Sequence, residues 1–427
     1  MRTYRELLRT PEFTPLFLNA SAQVAAQTVS GLALALLVHE RTGSPLLSAL
    51  AMFGPSLAQV AGALTLLSAA DRLPPRAALT GLGLLLGLGT AVQAVPGLPV
   101  QAVFAVLLVL GTVASPGGGV RYGLLNEILG RDGYLLGRSV LNMSAGAVQT
   151  CGFAAGGLLV AALSPRGALL VGAALHLAAA AVARFGLAGH PPRAAGRPSV
   201  AGTRRNNALL WSSGPRRRVY LALWVPNGLI VGCEALFVSY SPRHAGLLLA
   251  SAALGMLAGD VLVGRFLPSR LRERLAPALL LLLAAPYTVF ALDPALPLAV
   301  AAVTLASVGY AASLLLQERL TAMTPHRLSG HALGLHSSGM LAWQGIGAAL
   351  AGAVAQYASP PTAMAVTAVL SVAVTLALAL TPGRIPRGRR SSAALPGCRP
   401  GQGGPGRQKR WDIRHCSRRG RGEGWTP

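Results

Sequence analysis

Charge is what this chain has least of. Only 12% of its 427 residues are charged, against about 25% in soluble domains. A water-soluble chain of this length needs more polar surface than that, so lipid is expected to cover most of its outside. Aromatic residues are scarce at 5%, and Ala, Leu, Val and Gly fill the gap. Small residues let helix backbones approach closely in a bilayer. The four cysteines, Cys151, Cys233, Cys398 and Cys416, form no C-x-x-C pair and join no His cluster. A zinc site and a disulfide framework are therefore not expected, and neither a metal nor a cofactor is. No G-x-x-x-x-G-K-[ST] loop and no H-E-x-x-H occurs, which argues against a nucleotide-driven engine and a zinc protease. Lysine is nearly absent: Lys409 is the only one.

What is present is apolar runs. A spanning helix needs roughly 20 apolar residues, and such runs occur near 14–38, 46–69, 77–95, 99–120, 139–163, 167–187, 219–241, 245–267, 275–292, 295–317, 332–357 and 361–381. The first run is too long for a cleavable signal and has no convincing cleavage site. The net charge of +24 suggests nucleic acid until it is mapped. About a third of the basic residues lie after Thr381, and the others sit in short loops. That placement points to membrane topology and not to a nucleic-acid-binding face.

The loops alternate. Arg2, Arg5 and Arg9 precede the first run; Arg72 and Arg76, then Arg121, Arg131 and Arg138, then Arg265, Arg270, Arg272 and Arg274, then Arg319 and Arg327 follow on the same side. The other side holds only Arg41, Arg166 and Arg243. The positive-inside rule predicts both termini in the cytoplasm and a multi-pass protein of the inner (plasma) membrane. A polar, Arg-rich stretch over 189–218, read as a solvated linker, parts a six-helix bundle over 1–188 from a second over 219–382. Residues 383–427 are Gly-, Pro- and Arg-rich and read as a disordered basic tail.

The loop Asp71-Arg72-Leu73-Pro74-Pro75-Arg76 follows the second run, and Gly264-Arg265-Phe266-Leu267-Pro268-Ser269-Arg270 ends the eighth. The first resembles the cytoplasmic signature of the major facilitator superfamily at Asp71, Arg72 and Arg76, with Leu67 in place of its leading Gly. Gly152-Phe153-Ala154-Ala155-Gly156-Gly157 resembles the Gly-Pro-x-x-Gly-Gly element of the family's exporters, with Phe153 in place of Pro. Gly330-His331-Ala332-Leu333-Gly334-Leu335, with Gln344-Gly345 and Gly352, resembles the eleventh span of the branch containing bacterial siderophore exporters. The resemblance covers about residues 10–382. It implies an all-α membrane protein with twelve transmembrane helices in two six-helix bundles related by a pseudo-twofold axis. It also implies a cavity lined by the first, fourth, seventh and tenth spans.

Polar residues inside the runs mark where a solute could sit. Asn19, Gln23 and Gln27 form a stripe at spacing four, read as cavity lining or as interhelical bonding. Tyr220, Asn227 and Glu234 share one face at spacing seven. Glu234 is a candidate proton carrier, or else a structural hydrogen-bonding group. Thr304, Ser307, Tyr310 and Gln317 lie on roughly one face of the tenth run. Asn142 and Gln149, among glycines, read as packing residues, and His176 as a packed, hydrogen-bonded residue. Asp71, Arg72, Arg76, Asp260 and Arg265 are expected to act as a gate on the basic face, a role that topology signals explain almost as well.

The expected function is secondary active transport by alternating access: a proton-coupled exporter of a small amphipathic or hydrophobic molecule, working as a monomer and not as an enzyme. The competing readings are an importer or membrane sensor of the same fold and, with less support, a polytopic membrane enzyme.

Overall fold

The computed structural model describes residues 6–7, 9–70, 73–192, 200–266, 269–325 and 328–380. These form one compact, helical unit. Among the described residues, eleven helices are long and apolar enough to cross a membrane. One of them, Leu136–Gly186, has 51 residues and would measure about 76 Å if straight, more than twice the hydrocarbon thickness. It is broken at Ser164 (φ 74°, ψ 165°), just before Pro165, where the ring denies the helix an N–H and restricts the preceding residue. Two crossings result, and the total is twelve.

The spans are Phe13–Thr42, Pro45–Ala70, Pro75–Gln93, Val100–Gly130, the two arms of Leu136–Gly186, Gly214–Tyr240, Ala245–Phe266, Leu275–Leu292, Leu296–Ala322, His331–Tyr357 and Pro360–Leu380. They are numbered here in chain order. The first six and the last six form the two bundles. Turn chemistry sets several boundaries. Gly43 takes a left-handed conformation (φ 60°), and its N–H bonds the His39 carbonyl to close the first span. Pro74 and Pro75 start the third span, where an N–H would be unpaired anyway.

The expected linker contains more structure than its polarity suggests. Val200–Ser212 is a helix, and Gly214 already begins the seventh span. Its apolar end explains this: Leu210 is fully buried beside Leu328 and Ala332, and Trp211 stacks on Trp224 at 5.7 Å.

Helices pack through glycine where backbones meet. A Cβ on Gly246 would stand 2.8 Å from the Gly157 Cα, so the eighth span rests directly on the fifth. This is the second glycine of the Gly156-Gly157 pair. Gly228 of the seventh span faces the backbone of Trp343, and Gly347 of the eleventh meets the Gly228 carbonyl. No side chain fits between these last two helices. The bundles also touch at their Arg-poor ends. Ser44 donates to Gln356 Oε1 at 2.9 Å, His39 Nδ1 and Ser239 Oγ lie 3.4 Å apart, and Leu46 packs on Gly352.

Candidate functional site: a cavity between the bundles

A cavity of about 490 Å³ lies among both bundles. The first span contributes Gln27, Thr28 and Ser30; the second Met52, Phe53, Ser56 and Gln59; the fourth Leu107 and Leu110. The seventh supplies Asn227, Val231 and Glu234, the eighth Leu249 and Met256, the tenth Tyr310. The second, third, fifth, sixth, eighth and eleventh spans also reach the cavity, beyond the four that the family resemblance implies.

The seventh-span face is placed as its spacing requires. Asn227 and Glu234 both line the cavity, because seven residues turn the helix almost two full turns. Asn227 donates through Nδ2 to Met340 Sδ at 3.0 Å. Tyr220 shares the face but lies outside the cavity lining, where it is fully buried and donates to the Ala332 carbonyl at 3.2 Å.

Glu234 is the unusual residue. It is 6% exposed, and its Oε1 is buried without a hydrogen-bond partner. Its surroundings are polar without pairing it. Tyr287 of the ninth span and Tyr310 of the tenth both lie in electrostatic range of its carboxyl group. Ser307 adjoins Tyr287, and neither hydroxyl has a hydrogen-bond partner. Behind Glu234, Cys233 Sγ and Thr367 Oγ1 are 3.1 Å apart. A buried carboxyl group left unpaired is expensive.

The first-span stripe divides. Gln27 is exposed to the cavity, whereas Asn19 and Gln23 turn to the sixth span. Asn19 Nδ2 donates to the Ala179 carbonyl at 2.8 Å, and Gln23 Oε1 hydrogen-bonds His176 Nδ1. These two residues bond helices together and do not line the cavity. His176 combines both settings, bonded to Gln23 and also at the cavity edge. Ser307 is fully buried and outside the lining.

The expected gate is only partly visible. Asp71 and Arg72 lie outside the described residues. Arg76 is half-buried at the start of the third span. Asp260 is half-buried with Oδ1 unpartnered and lies in electrostatic range of Tyr310. Arg265 is exposed, with its guanidinium 6.0 Å from the centre of the Phe266 ring. Among the described residues no ion pair joins Asp260 to Arg265.

Sequence reasoning did not single out Gln59, Gln93 or Thr90, and it read Gln149 as packing, yet all four line the cavity, as does Gln344. Thr90 and Gln93 share one helix face at spacing three, as do Ser56 and Gln59, but only the assembled bundle shows that these faces point into the cavity. Among the described residues no group of His, Cys, Asp and Glu is arranged to hold a metal.

No family model matches the chain, and no curated protein matches it. Solved structures do. A POT family transporter in complex with a thioalcohol-conjugated peptide is similar at TM-score 0.65 and 10% identity, over 86% of this chain and 95% of that one. The nucleoside transporter NupG is similar at 0.63 and 14%, over 85% and 99%. A bacterial homologue of the human lysosomal transporter Spinster, inward-facing and occupied, is similar at 0.64 and 12%, over 89% and 97%. At such identities the likeness is one of architecture: this chain is an all-helical membrane protein with the twelve-helix fold that these transporters share.

Proposed function

We propose that the protein is a secondary active transporter that works by alternating access, and that it is a proton-coupled exporter. Its cargo is a small amphipathic molecule, its place is the inner (plasma) membrane, and both termini face the cytoplasm, as the arginine distribution favours. The observation that carries this reading is Glu234. It is a buried, unpartnered carboxyl group on the wall of a cavity that both bundles build. Rocking two bundles about such a cavity exposes it to each side in turn, and a carboxyl group whose surroundings change can take up a proton on one side and release it on the other.

The titratable groups around Glu234 are few. Cys233 adjoins it on its own helix, Tyr287 and Tyr310 face it from the ninth and tenth spans, and His176 lies on the cavity wall in the other bundle. Asp260 shares Tyr310 with it from the eighth span. Asp260 also carries an unpartnered oxygen near the basic ends of the helices. With Asp71 it supplies the acidic side of a gate whose basic side is Arg72, Arg76 and Arg265, and these groups find one another when that face closes.

Inside-out membrane vesicles test the reading. An imposed proton gradient, acidic inside, should drive accumulation of at least one member of a chemically diverse solute panel, and an uncoupler should abolish it. Accumulation of a solute that an uncoupler leaves unchanged would contradict proton coupling.

A further inference from the structure

The chain is strongly basic, with 37 Lys and Arg against 13 Asp and Glu. The cavity reverses that balance. Among the described lining residues there is no Lys and no Arg, and Glu234 is the one carboxylate. Its Oε1 is buried, in the cavity wall, with no hydrogen-bond partner. Carboxamides from several helices line the same cavity. Gln27 and Gln149 are exposed to the cavity space, and Gln59, Gln93, Gln344 and Asn227 complete the set. Carboxamides both donate and accept, so they suit a cargo with hydroxyl, amide or ring-nitrogen groups and offer little to a purely hydrocarbon body. Apolar contact comes from Met52, Phe53, Phe153 and Met256.

We propose that the cargo is a polar organic monocation: one amine or guanidinium group that pairs with Glu234, on a body rich in hydrogen-bonding groups. The inference rests on the transporter reading and narrows its substrate class. An anionic cargo would find no Lys or Arg among the described lining residues to pair with it, and Glu234 in its ionised form would repel it. A cation of wholly hydrocarbon body would bury the carboxamides unpaired, which costs free energy for each one. A neutral cargo can donate a hydrogen bond to Glu234 but does not offset the charge of its ionised form.

The test is equilibrium binding of radiolabelled probes to the purified full-length protein in detergent, which requires neither flux nor a proton gradient. Puromycin serves as a polar monocation, tetraphenylphosphonium as a hydrocarbon cation, chloramphenicol as a neutral polar molecule and 2,3-dihydroxybenzoate as an anion. Puromycin should bind most tightly. Glu234→Gln should weaken it by roughly thirtyfold or more, the scale of removing one partner from a buried charge pair. Glu234→Asp, which keeps the charge, should bind within about tenfold of the parent if it folds. Gln149→Leu should weaken puromycin by about fivefold, one hydrogen bond's worth, and leave tetraphenylphosphonium unchanged. Tighter binding of the anion or the neutral probe, puromycin binding that Glu234→Gln does not alter, or no binding of any probe at millimolar concentration would overturn the proposal. Proton-driven flux of a neutral solute alongside any of these results would leave the transporter reading standing and remove only the cationic cargo.

Discussion

Two sets of buried polar groups differ: those that join the first and sixth spans, and those around Glu234. In the first set Asn19 Nδ2 pairs with the Ala179 carbonyl and Gln23 with His176, and Asn19 Oδ1 alone is left without a partner. In the second, Glu234, Tyr287 and Ser307 are all nearly or fully buried, and each keeps an oxygen without a partner. Bonds between spanning helices contribute about 0.6–1.7 kcal/mol each, so the first arrangement is explained by holding helices in place. The second contributes no such bonds and costs desolvation. On the proposed reading that cost is offset by what Glu234 binds. The difference teaches that a polar residue's partner, more than its presence in an apolar run, separates architecture from function.

Mutations on the two sides should therefore diverge. The largest effect is expected for Glu234→Gln: proton-driven accumulation in vesicles falls by about two orders of magnitude, the lower range for loss of a proton-transferring group, while the protein still purifies as a folded monomer on size exclusion. Next is Gly347→Ala, whose new methyl group would press on the Gly228 carbonyl. Overpacking of this kind costs about 1–3 kcal/mol and should lower the midpoint of thermal unfolding in detergent. Asn19→Ala should cost about 0.6–1.7 kcal/mol by the same measurement, with transport per folded molecule retained. The smallest effect is expected for Ser307→Ala, which breaks no hydrogen bond among the described residues. Its stability should stay within about 0.5 kcal/mol of the parent, while flux changes if the hydroxyl group helps to solvate Glu234. Equal destabilisation by Asn19→Ala and Ser307→Ala would erase the contrast between the two sets.

Much of the fold was legible in the sequence because a bilayer imposes one length on every crossing. The expected runs at 245–267 and 275–292 match Ala245–Phe266 and Leu275–Leu292 within a residue or so. The break before Pro165 could be read from proline chemistry alone. The helix Val200–Ser212 could not, since its arginines and asparagines mask a short apolar end that is buried only in the assembled fold. The site was legible where periodicity returns to the same face. Spacing seven drifts by about 20°, so Asn227 and Glu234 stay together; spacing four drifts by about 40° per step, so Gln27 is about 80° away from Asn19. That drift carries Gln27 into the cavity and leaves Asn19 on the sixth span. Gln59 and Gln93 have only a small hydroxyl companion three residues back, Ser56 and Thr90, and Gln344 has no polar companion at spacing three or four. Their convergence depends on how separate spans are rotated, which a single sequence does not display.

The most direct test compares the parent protein with Glu234→Gln in inside-out vesicles, following solute accumulation as the external pH is raised at fixed internal pH. The account predicts that accumulation by the parent rises with the gradient and that the variant shows a flat, near-background response. An identical pH dependence in the two proteins would contradict it.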